Sequence, residues 1–340
     1  MIHLIKLLFC VLIFLSSCLE KDKEQEKSQI DFLNTSIESN PNDVNLLYKR
    51  AKYNKQRNYL ESVLFDLNKC VEIDSLNDLY HFELACVYFD LAKQKNGNSD
   101  FPIRAKNHLI KSIELDQSKP KYKALLGELY LAFKKYNDAI ILFNKSLELE
   151  YNQPKTHMLM GYAYKQLNNY ENAINCFHNS INIDPEFKES FIQLGNILHL
   201  MKDTNAILYY NNALKLDPDD EITLYNKALF YQDLMDWNNA LVAYAELHKV
   251  SPFHSSGHYN LGFIHMELGL FDIAANNFSD AIYSNSEFYE AYYSRGICFQ
   301  KIGNINQAII DFKRAIEIKS DYNYAIEALE EVNKLSKTIN

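Results

Sequence analysis

The sequence of 340 residues predicts an all-α fold, a solenoid of about eight helix–turn–helix repeats. Two series of small residues recur along the chain with a spacing of 34, broken once by 42 and once by 33. The first series, in the first helix of each repeat, is Ala51, Ala85, Gly127, Gly161, Gly195, Ala228, Gly262 and Gly296. The second series, in the second helix, is Val63, Ala105, Ala139, Ala173, Ala206, Ala240, Ala274 and Ala308. Two series that share one period indicate stacked helical repeats.

Proline marks the junctions between repeats, as in Asp184-Pro185, Asp217-Pro218 and Ser251-Pro252, because proline fits the first turn of a helix but not its interior. The fourth repeat also carries a set of residues at fixed positions: Gly161, Tyr164, Tyr170, Ala173, Phe177, Ser180 and Pro185. This pattern resembles the tetratricopeptide repeat (TPR), and it extends over residues 44–322. The resemblance implies a right-handed superhelical solenoid whose first helices line an inner face that binds peptides.

The small residues are expected at close helix–helix contacts. Glycine or alanine in a first helix lets the second helix of the repeat lie against it, and the alanine of the second helix does the same toward the next repeat. A larger side chain at these positions would cost about 1–3 kcal/mol of overpacking.

The N-terminus predicts a cleaved lipoprotein signal. The apolar run from Leu7 to Leu15 is shorter than the roughly 20 residues that span a bilayer, and it follows Lys6 as the core of a secretory signal does. Leu15-Ser16-Ser17-Cys18 resembles the lipobox of bacterial lipoproteins. The resemblance implies that residues 1–17 are removed and that Cys18 is the site of lipid attachment, which holds a protein stably when several acyl chains are present. An uncleaved anchor or a plain secretion signal is the alternative.

Two segments flank the predicted repeats on the N-terminal side. Residues 18–28 are expected to form a flexible tether, because Glu20 to Lys27 contains no apolar residue. Residues 29–43 match only a second helix and are expected to form an N-terminal half-repeat.

Three further features depart from the regular spacing. The gap of 42 places extra residues in the polar segment 93–102, which is expected to be a protruding loop. The gap of 33 removes one residue near Lys202–Thr204, which should tighten a turn. Residues 323–340 match only a first helix and are expected to form a C-terminal capping helix.

Composition excludes some classes of function. The net charge of −9, without a block of lysine or arginine, argues against nucleic-acid binding. Four cysteines, Cys70, Cys86, Cys176 and Cys298, lack C-x-x-C spacing and are expected to be buried thiols, with a Cys70–Cys86 disulfide as the alternative.

No catalytic or cofactor motif occurs in the sequence. A P-loop, a G-x-G-x-x-G fingerprint and a G-x-S-x-G elbow are all missing. The histidines His248, His254, His258 and His265 form no His-Glu-x-x-His motif, and two of them occupy positions where the repeat packs aromatic residues. We therefore expect no enzyme activity, no metal, no cofactor and no small-molecule substrate.

The resemblance points a set of first-helix residues toward the inner face. In the sixth to eighth repeats they are Tyr225, Leu229, Tyr259, Phe263, Met266, Tyr293 and Ile297. The same positions of the second and fourth repeats add Phe82, Phe89, Met158 and Tyr162. Tyrosine, phenylalanine and methionine favour protein-binding surfaces, so these residues are partner-binding groove candidates. The alternative is that they only pack along the solenoid.

The carboxylate clamp of chaperone-binding TPR proteins is not predicted. Asn196 and Asn226 stand near two clamp positions, but Ile192 and Ser256 replace the partnering lysines. The sequence thus predicts a lipid-anchored protein–protein interaction scaffold or assembly factor of the bacterial cell envelope, with the outer membrane favoured, on its periplasmic side or at the cell surface. A self-associating structural envelope protein is the alternative.

Overall fold

The computed structural model describes residues 29–94 and 100–339, with side chains up to residue 334. The predicted signal, lipid-attachment residue Cys18 and tether lie outside the described residues. By its internal contacts the chain divides into two compact units, unit 1 up to Asn169 and unit 2 from Tyr170. Every regular element in the described ranges is an α-helix, as predicted. No described helix is both long enough and apolar enough to cross a membrane.

The helices follow one another with short connections. Unit 1 contains α1 (29–39), α2 (Val44–Lys55), α3 (Leu60–Ile73), α4 (Asp78–Gln94), α5 (Phe101–Leu115), α6 (Pro120–Ala132), α7 (Tyr136–Leu147) and α8 (Pro154–Gln166). Unit 2 contains α9 (Tyr170–Ile183), α10 (Lys188–Leu200), α11 (Ala206–Leu216), α12 (Glu221–Asp233), α13 (Trp237–Val250), α14 (Ser255–Glu267), α15 (Phe271–Ser284), α16 (Tyr289–Lys301), α17 (Ile305–Ile318) and α18 (Asn323–Ile339).

Within each unit the helices form stacked pairs. In unit 1, α2 pairs with α3, α4 with α5 and α6 with α7, and each pair also contacts the first helix of the next. In unit 2 the pairs are α10 with α11, α12 with α13, α14 with α15 and α16 with α17, and α18 packs on the last pair. This arrangement confirms the predicted helix–turn–helix repeats.

The turn inside most pairs contains one residue with positive φ. These residues are Asn58, Lys134, Asn168, Lys202, Met235, Gly269 and Gly303. At Gly269 the N–H donates to the carbonyl of Met266 (3.0 Å), and the N–H of Leu270 donates to the carbonyl of His265 (2.8 Å). This pair of bonds is a Schellman motif, which ends the first helix and leaves few of its carbonyls unpaired.

The first series of small residues lies where predicted. A Cβ atom added to Gly262 would stand 2.7 Å from ring atoms of Phe278, and one added to Gly127 would stand 2.6 Å from Phe143. Gly195 and Gly296 face Tyr210 and Phe312 in the same way. All four rings are fully buried, so the glycines allow a large side chain to fill the space between the two helices of a repeat.

The turn with one residue fewer is tighter, as predicted. The amide of Ala206, at the start of α11, donates to the carbonyl of Asp203 (3.0 Å), three residues earlier. The amides of Ile207 and Leu208 make the same kind of bond to Thr204 and Asn205. In the seventh repeat, Ala274 instead bonds Leu270, four residues earlier. A first turn of 3₁₀ type thus absorbs the missing residue.

The prediction of a loop over residues 93–102 is wrong at both ends. Helix α4 continues through Gln94, about one turn beyond the corresponding helices, and Leu91 in this added turn is fully buried. Helix α5 already begins at Phe101, with Pro102 in its first turn, where proline is tolerated. Burial of apolar residues on the extended α4 outweighs the polar composition of the segment. Residues 95–99 lie outside the described part of the chain.

The four cysteines within the described ranges are free thiols. Cys70, Cys176 and Cys298 are buried and Cys86 is half-buried. Cys70 and Cys86 are not joined by a disulfide, which was the alternative. Burial raises the pKa of the Cys70 thiol to about 11 and that of Cys298 to about 12. These thiols act as small apolar side chains.

Candidate partner-binding surface

The seven groove candidates lie on three successive first helices of unit 2. Tyr225 and Leu229 are on α12, Tyr259, Phe263 and Met266 are on α14, and Tyr293 and Ile297 are on α16. Residues four apart share one face of a helix, and the repeat period places that face in register on all three helices. All seven side chains are half-buried.

Tyr225 is held by neighbours on both sides. Its ring centroid lies 4.9 Å from that of His254 and 6.3 Å from that of Tyr244, in the buried core of the sixth repeat. Its hydroxyl accepts a hydrogen bond from Asn260 Nδ2 (3.3 Å) on α14. This side chain therefore links α12 to α14 and keeps only part of its surface free.

Tyr259 repeats this arrangement one helix pair later. Its ring lies 5.4 Å from that of Phe278 and 4.9 Å from that of Phe288, and Met266 packs on the same core. The hydroxyl groups of Tyr259 and Ser294 are 3.4 Å apart, which links α14 to α16.

Tyr293 and Ile297 pack on the core around Phe312. The structure thus brings five candidates, Tyr225, Tyr259, Met266, Tyr293 and Ile297, against the cores of their repeats. Each nevertheless stays half-exposed, so the same residues can serve both as lining and as a contact surface.

Amide side chains make further hydrogen bonds between the helices of unit 2. Asn226 Nδ2 donates to Asn196 Oδ1 (3.1 Å), which also accepts from the hydroxyl of Tyr210 (3.0 Å). Asn260 Nδ2 donates to the hydroxyl of Tyr244 (2.8 Å). Because Asn196 and Asn226 bond each other, their amide groups are engaged within the protein.

Comparison with known families agrees with the repeats seen in the fold. The tetratricopeptide repeat family matches residues 120–153, 154–187 and 289–322. Three segments of the chain therefore match the tetratricopeptide repeat. The first and third of these matches coincide with the helix pairs α6–α7 and α16–α17, and the second begins at the first residue of α8.

Solved structures support the same fold. A tetratricopeptide repeat protein from Parabacteroides merdae has a TM-score of 0.51 at 15% identity, covering 74% of this chain and 98% of that one. The Cut9–Hcn1 hetero-tetramer of the APC/C gives 0.50 at 16% identity, covering 89% of this chain and 58% of the other. The similarity at these identities is one of fold.

One curated relative matches part of the chain. An N-terminal acetyltransferase A complex subunit-like protein of Schizosaccharomyces pombe is 26% identical over 107 residues, which make up 31% of this chain and 15% of that protein. The match therefore spans well under two thirds of the relative's length.

A group of rings at the end of the repeats was missed by sequence reasoning. We call Tyr289, Tyr293, Tyr322 and Tyr324 the C-terminal tyrosine cluster. The ring of Tyr322 lies 4.9 Å from Tyr289, 5.5 Å from Tyr293 and 5.7 Å from Tyr324. Tyr322 and Tyr324 lie at the start of α18, where the repeat pattern stops, so only the density of tyrosine could have indicated them.

Ion pairs join the first helices of unit 1. Glu128 on α6 pairs with Lys155 on α8 (2.8 Å) and with Lys93 on α4 (3.5 Å). Lys55 on α2 likewise pairs with Glu83 on α4 (2.7 Å). Successive helix pairs in unit 1 are thus linked by charged contacts, whereas tyrosine and asparagine side chains link those of unit 2.

The candidates of unit 1 have different environments. Phe82 is half-buried with its ring 4.7 Å from that of Tyr122, whereas Phe89 is only 6% exposed and belongs to the core. Phe89 therefore packs inside the solenoid and presents little surface to a partner. Met158 is half-buried and Tyr162 is exposed.

The histidines between residues 248 and 265 make packing and capping contacts. The rings of His248 and His258 are stacked at 3.9 Å, and His254 Nδ1 accepts from the amide of Gly257 (2.9 Å) as the N-cap of α14. Burial, with His258 and His254 nearby, lowers the pKa of His248 to about 4. The described residues contain no group of three or more His, Cys, Asp or Glu that could hold a metal ion.

Proposed function

We propose that this chain is a lipid-anchored scaffold or assembly factor of the bacterial cell envelope that binds partner proteins through the first-helix surface of unit 2. The observation that carries this proposal is the row formed by Tyr225, Tyr259 and Tyr293. They occupy one position of three successive repeats, and each keeps part of its ring exposed. Aromatic side chains provide large contact area with few rotatable bonds, which is what protein interfaces favour.

Hydrogen-bonding groups accompany the rings. Asn260 Nδ2 donates to the hydroxyl of Tyr225, and the hydroxyls of Tyr259 and Ser294 are 3.4 Å apart. These bonds hold the tyrosine rings in fixed positions, which lowers the entropic cost of ordering them against a partner. TPR proteins in general act by binding other proteins, which supports a scaffold rather than an enzyme.

The partner experiment compares crosslinked pull-downs from membranes. The test variant is Tyr259→Ala with Phe263→Glu, which alters the surface while leaving Tyr293 and the tyrosine cluster intact. The matched control is Tyr283→Ala with Ile310→Glu, at exposed positions of second helices. Both variants must retain the helical circular dichroism of the wild type.

We expect the wild type and the control to recover the same few proteins, and the test variant to lose them. If the test variant recovers them equally well, the first-helix surface of unit 2 is lining only. If the control loses them instead, the second-helix face is the contact surface.

The envelope location is tested separately. We expect the wild type to incorporate labelled palmitate and to sediment with membranes, and Cys18→Ser to do neither. Incorporation of label into Cys18→Ser would show that the lipid is attached elsewhere, and a wild type without label would remove the anchor from the proposal.

A second candidate function is self-association. Exposed apolar side chains recur two residues after the small residue of the second helix in several repeats: Phe65, Ile141, Leu208, Val242 and Ile310. Repeated exposed apolar side chains favour contacts with another surface. A sedimentation coefficient that rises with protein concentration, and that stops rising in Val242→Glu, would favour this alternative.

A further inference from the structure

The C-terminal tyrosine cluster already holds one positive charge. The Lys319 ammonium lies 4.7 Å from the ring centroid of Tyr289 and 6.0 Å from that of Tyr322, and it donates to the hydroxyl of Tyr289 (3.1 Å). A cation over the face of a tyrosine ring is attracted by the ring quadrupole. This internal contact shows that the cluster is built to accept an ammonium group.

Two rings of the cluster remain open to a second cation. The centroids of Tyr293 and Tyr324 are 6.3 Å apart, with a tilt of 48°. Tyr324 is 65% exposed, so a side chain from outside can reach it. Tyr293 is half-buried on the core around Phe312 and therefore presents its ring in a fixed position.

Carboxylates add a negative potential around the rings. Burial raises the pKa of Tyr322, and the Glu290 carboxylate raises it further. Burial also raises the pKa of Tyr293, and Glu327 contributes in the same direction. Glu327 lies three residues after Tyr324 on α18 and therefore shares its side of the helix, where its carboxylate favours positive charge beside the Tyr324 ring.

The charge of the whole unit points the same way. Residues 170–340 contain 23 acidic and 12 basic residues, whereas residues 1–169 contain 21 acidic and 23 basic ones. The net negative charge of the chain therefore resides in unit 2. Such a field attracts basic partners and repels acidic ones.

We propose that the C-terminal tyrosine cluster binds a lysine or arginine side chain of a basic segment in a partner protein, with the cation between Tyr293 and Tyr324 and near Glu327. This inference rests on the proposed function in one respect, that unit 2 binds a protein. It adds the chemistry of the partner and a set of contact residues at the end of the repeats.

The experiment measures binding of labelled synthetic decapeptides to the full chain by fluorescence anisotropy. One peptide alternates lysine with serine, and two matched peptides replace lysine by norleucine or by glutamate. The variants are Tyr324→Leu, which removes the ring, Tyr324→Phe, which keeps it, and Tyr283→Leu. Tyr283 is 80% exposed on α15 and lies outside the cluster, so it controls for a general loss of surface tyrosine.

We expect the lysine peptide to bind and the glutamate and norleucine peptides to bind at least tenfold more weakly. Tyr324→Leu should lower the affinity for the lysine peptide by about three- to fivefold, while Tyr324→Phe and Tyr283→Leu should leave this affinity unchanged. If Tyr324→Leu has no effect, or no more than Tyr283→Leu, attraction to the acidic surface explains the binding and the proposed site is overturned. Equal binding of the norleucine peptide would overturn it as well.

The two proposals can fail separately. If partner recovery depends on Tyr259 and Phe263 but peptide affinity does not depend on Tyr324, the partner surface is supported and the cation site is overturned. If peptide affinity depends on Tyr324 but partner recovery does not depend on Tyr259 and Phe263, the cation site is supported and the first-helix surface is overturned.

Discussion

At the scale of single residues, the fold depends on glycines that face buried rings. A Cβ atom at residue 262 would stand 2.7 Å from two carbons of Phe278. We expect Gly262→Ala to lower the free energy of unfolding by about 1–2 kcal/mol, because overpacking outweighs the gain of about 1 kcal/mol in helix propensity. Urea unfolding curves of both proteins, followed by circular dichroism, give the change in the free energy of unfolding. The sixth repeat combines Ala228 with Tyr244 in one buried core, so the cost at residue 262 comes from the position of the Phe278 ring and not from an aromatic ring as such.

The control for this prediction is taken from the chain's own first repeats. Alanine at the first-series position is combined there with leucine at the ring position, as in Ala51 with Leu67. In a Phe278→Leu background, Gly262→Ala should therefore be neutral or stabilising. The same loss in both backgrounds would show that the ring of Phe278 is not the cause.

The same residues show what can be predicted from sequence. The period predicts the helix pairs because a small residue opposite a large one is a local contact that repeats along the chain. The extra turn of α4 could not be predicted from the polar residues that follow it, because it depends on the burial of Leu91. The tyrosine cluster was missed because Tyr322, just before α18, and Tyr324, at its start, lie where the repeat pattern ends, and Tyr322 meets Tyr289 only through packing.

The sequence predicts which positions form the candidate surface, but not whether each side chain packs within the solenoid or contacts a partner. Tyr225 and Tyr259 lie on the predicted face, yet each also fills space beside a core ring, and both uses favour the same amino acid. Residue type at one position therefore could not separate lining from contact surface. Hydrogen bonds such as Asn226 to Asn196 join different repeats, and only the spacing of successive helices determines them.

At the scale of helices, α4 and α5 are joined by a pair of histidines. Nδ1 of His81 and Nδ1 of His108 are 2.9 Å apart, and His81 Nε2 lies 3.1 Å from the carbonyl of Ser75. Burial, with His81 and Arg104 nearby, lowers the pKa of His108 from 6.5 to about 4. A hydrogen bond between two imidazoles requires one donor and one acceptor, so adding a proton to both would break it.

The sign of the pH dependence follows from the lowered pKa of His108. Above pH 6.5 the ring is neutral in both states, and its contribution to stability is fully present. As the pH falls toward 4, the unfolded chain takes up a proton that the folded chain does not, so stability is lost. We expect His108→Gln to reduce the proton uptake on unfolding between these pH values by about one proton.

Urea unfolding of wild type and His108→Gln at a series of pH values measures this change. The difference at pH 8, where the ring is neutral in both states, gives the cost of altered packing and is subtracted. His248 in unit 2 keeps its own lowered pKa, so the slope should decrease without vanishing. An unchanged slope would contradict the prediction that the His81–His108 pair excludes a proton.

At the scale of the whole molecule, the first and last repeats share a buried arginine–aspartate contact. Arg295 on α16 forms a bidentate ion pair with Asp311 on α17 (2.8 and 2.7 Å) and donates to Ser279 on α15 (3.0 Å). Arg50 in the first repeat makes the equivalent bonds to Asp66 and to Asn34 on α1. Both aspartates are only 1% exposed. Each pair therefore ties three helices together at one end of the repeats.

Because repeat proteins are stabilised by contacts between neighbours, breaking one end contact should have a local effect. We expect Arg295→Met to cost about 3–5 kcal/mol, since it leaves the buried carboxylate of Asp311 unpaired. Amide hydrogen exchange should then accelerate in α16, α17 and α18, while α10 to α13 keep the protection of the wild type. Exchange measured by mass spectrometry resolves these helices.

A double variant separates the lost charge pair from lost packing. Replacing both partners, Arg295→Met with Asp311→Leu, removes the unpaired carboxylate and should restore most of the protection, because apolar residues of similar volume often replace a buried ion pair without loss. Continued fast exchange in the double variant would mean that the arginine is needed for its contacts with Ser279 and the α15 helix. Acceleration throughout α10 to α18 in the single variant would instead mean that unit 2 opens as one cooperative body, and nearest-neighbour stability would not describe it.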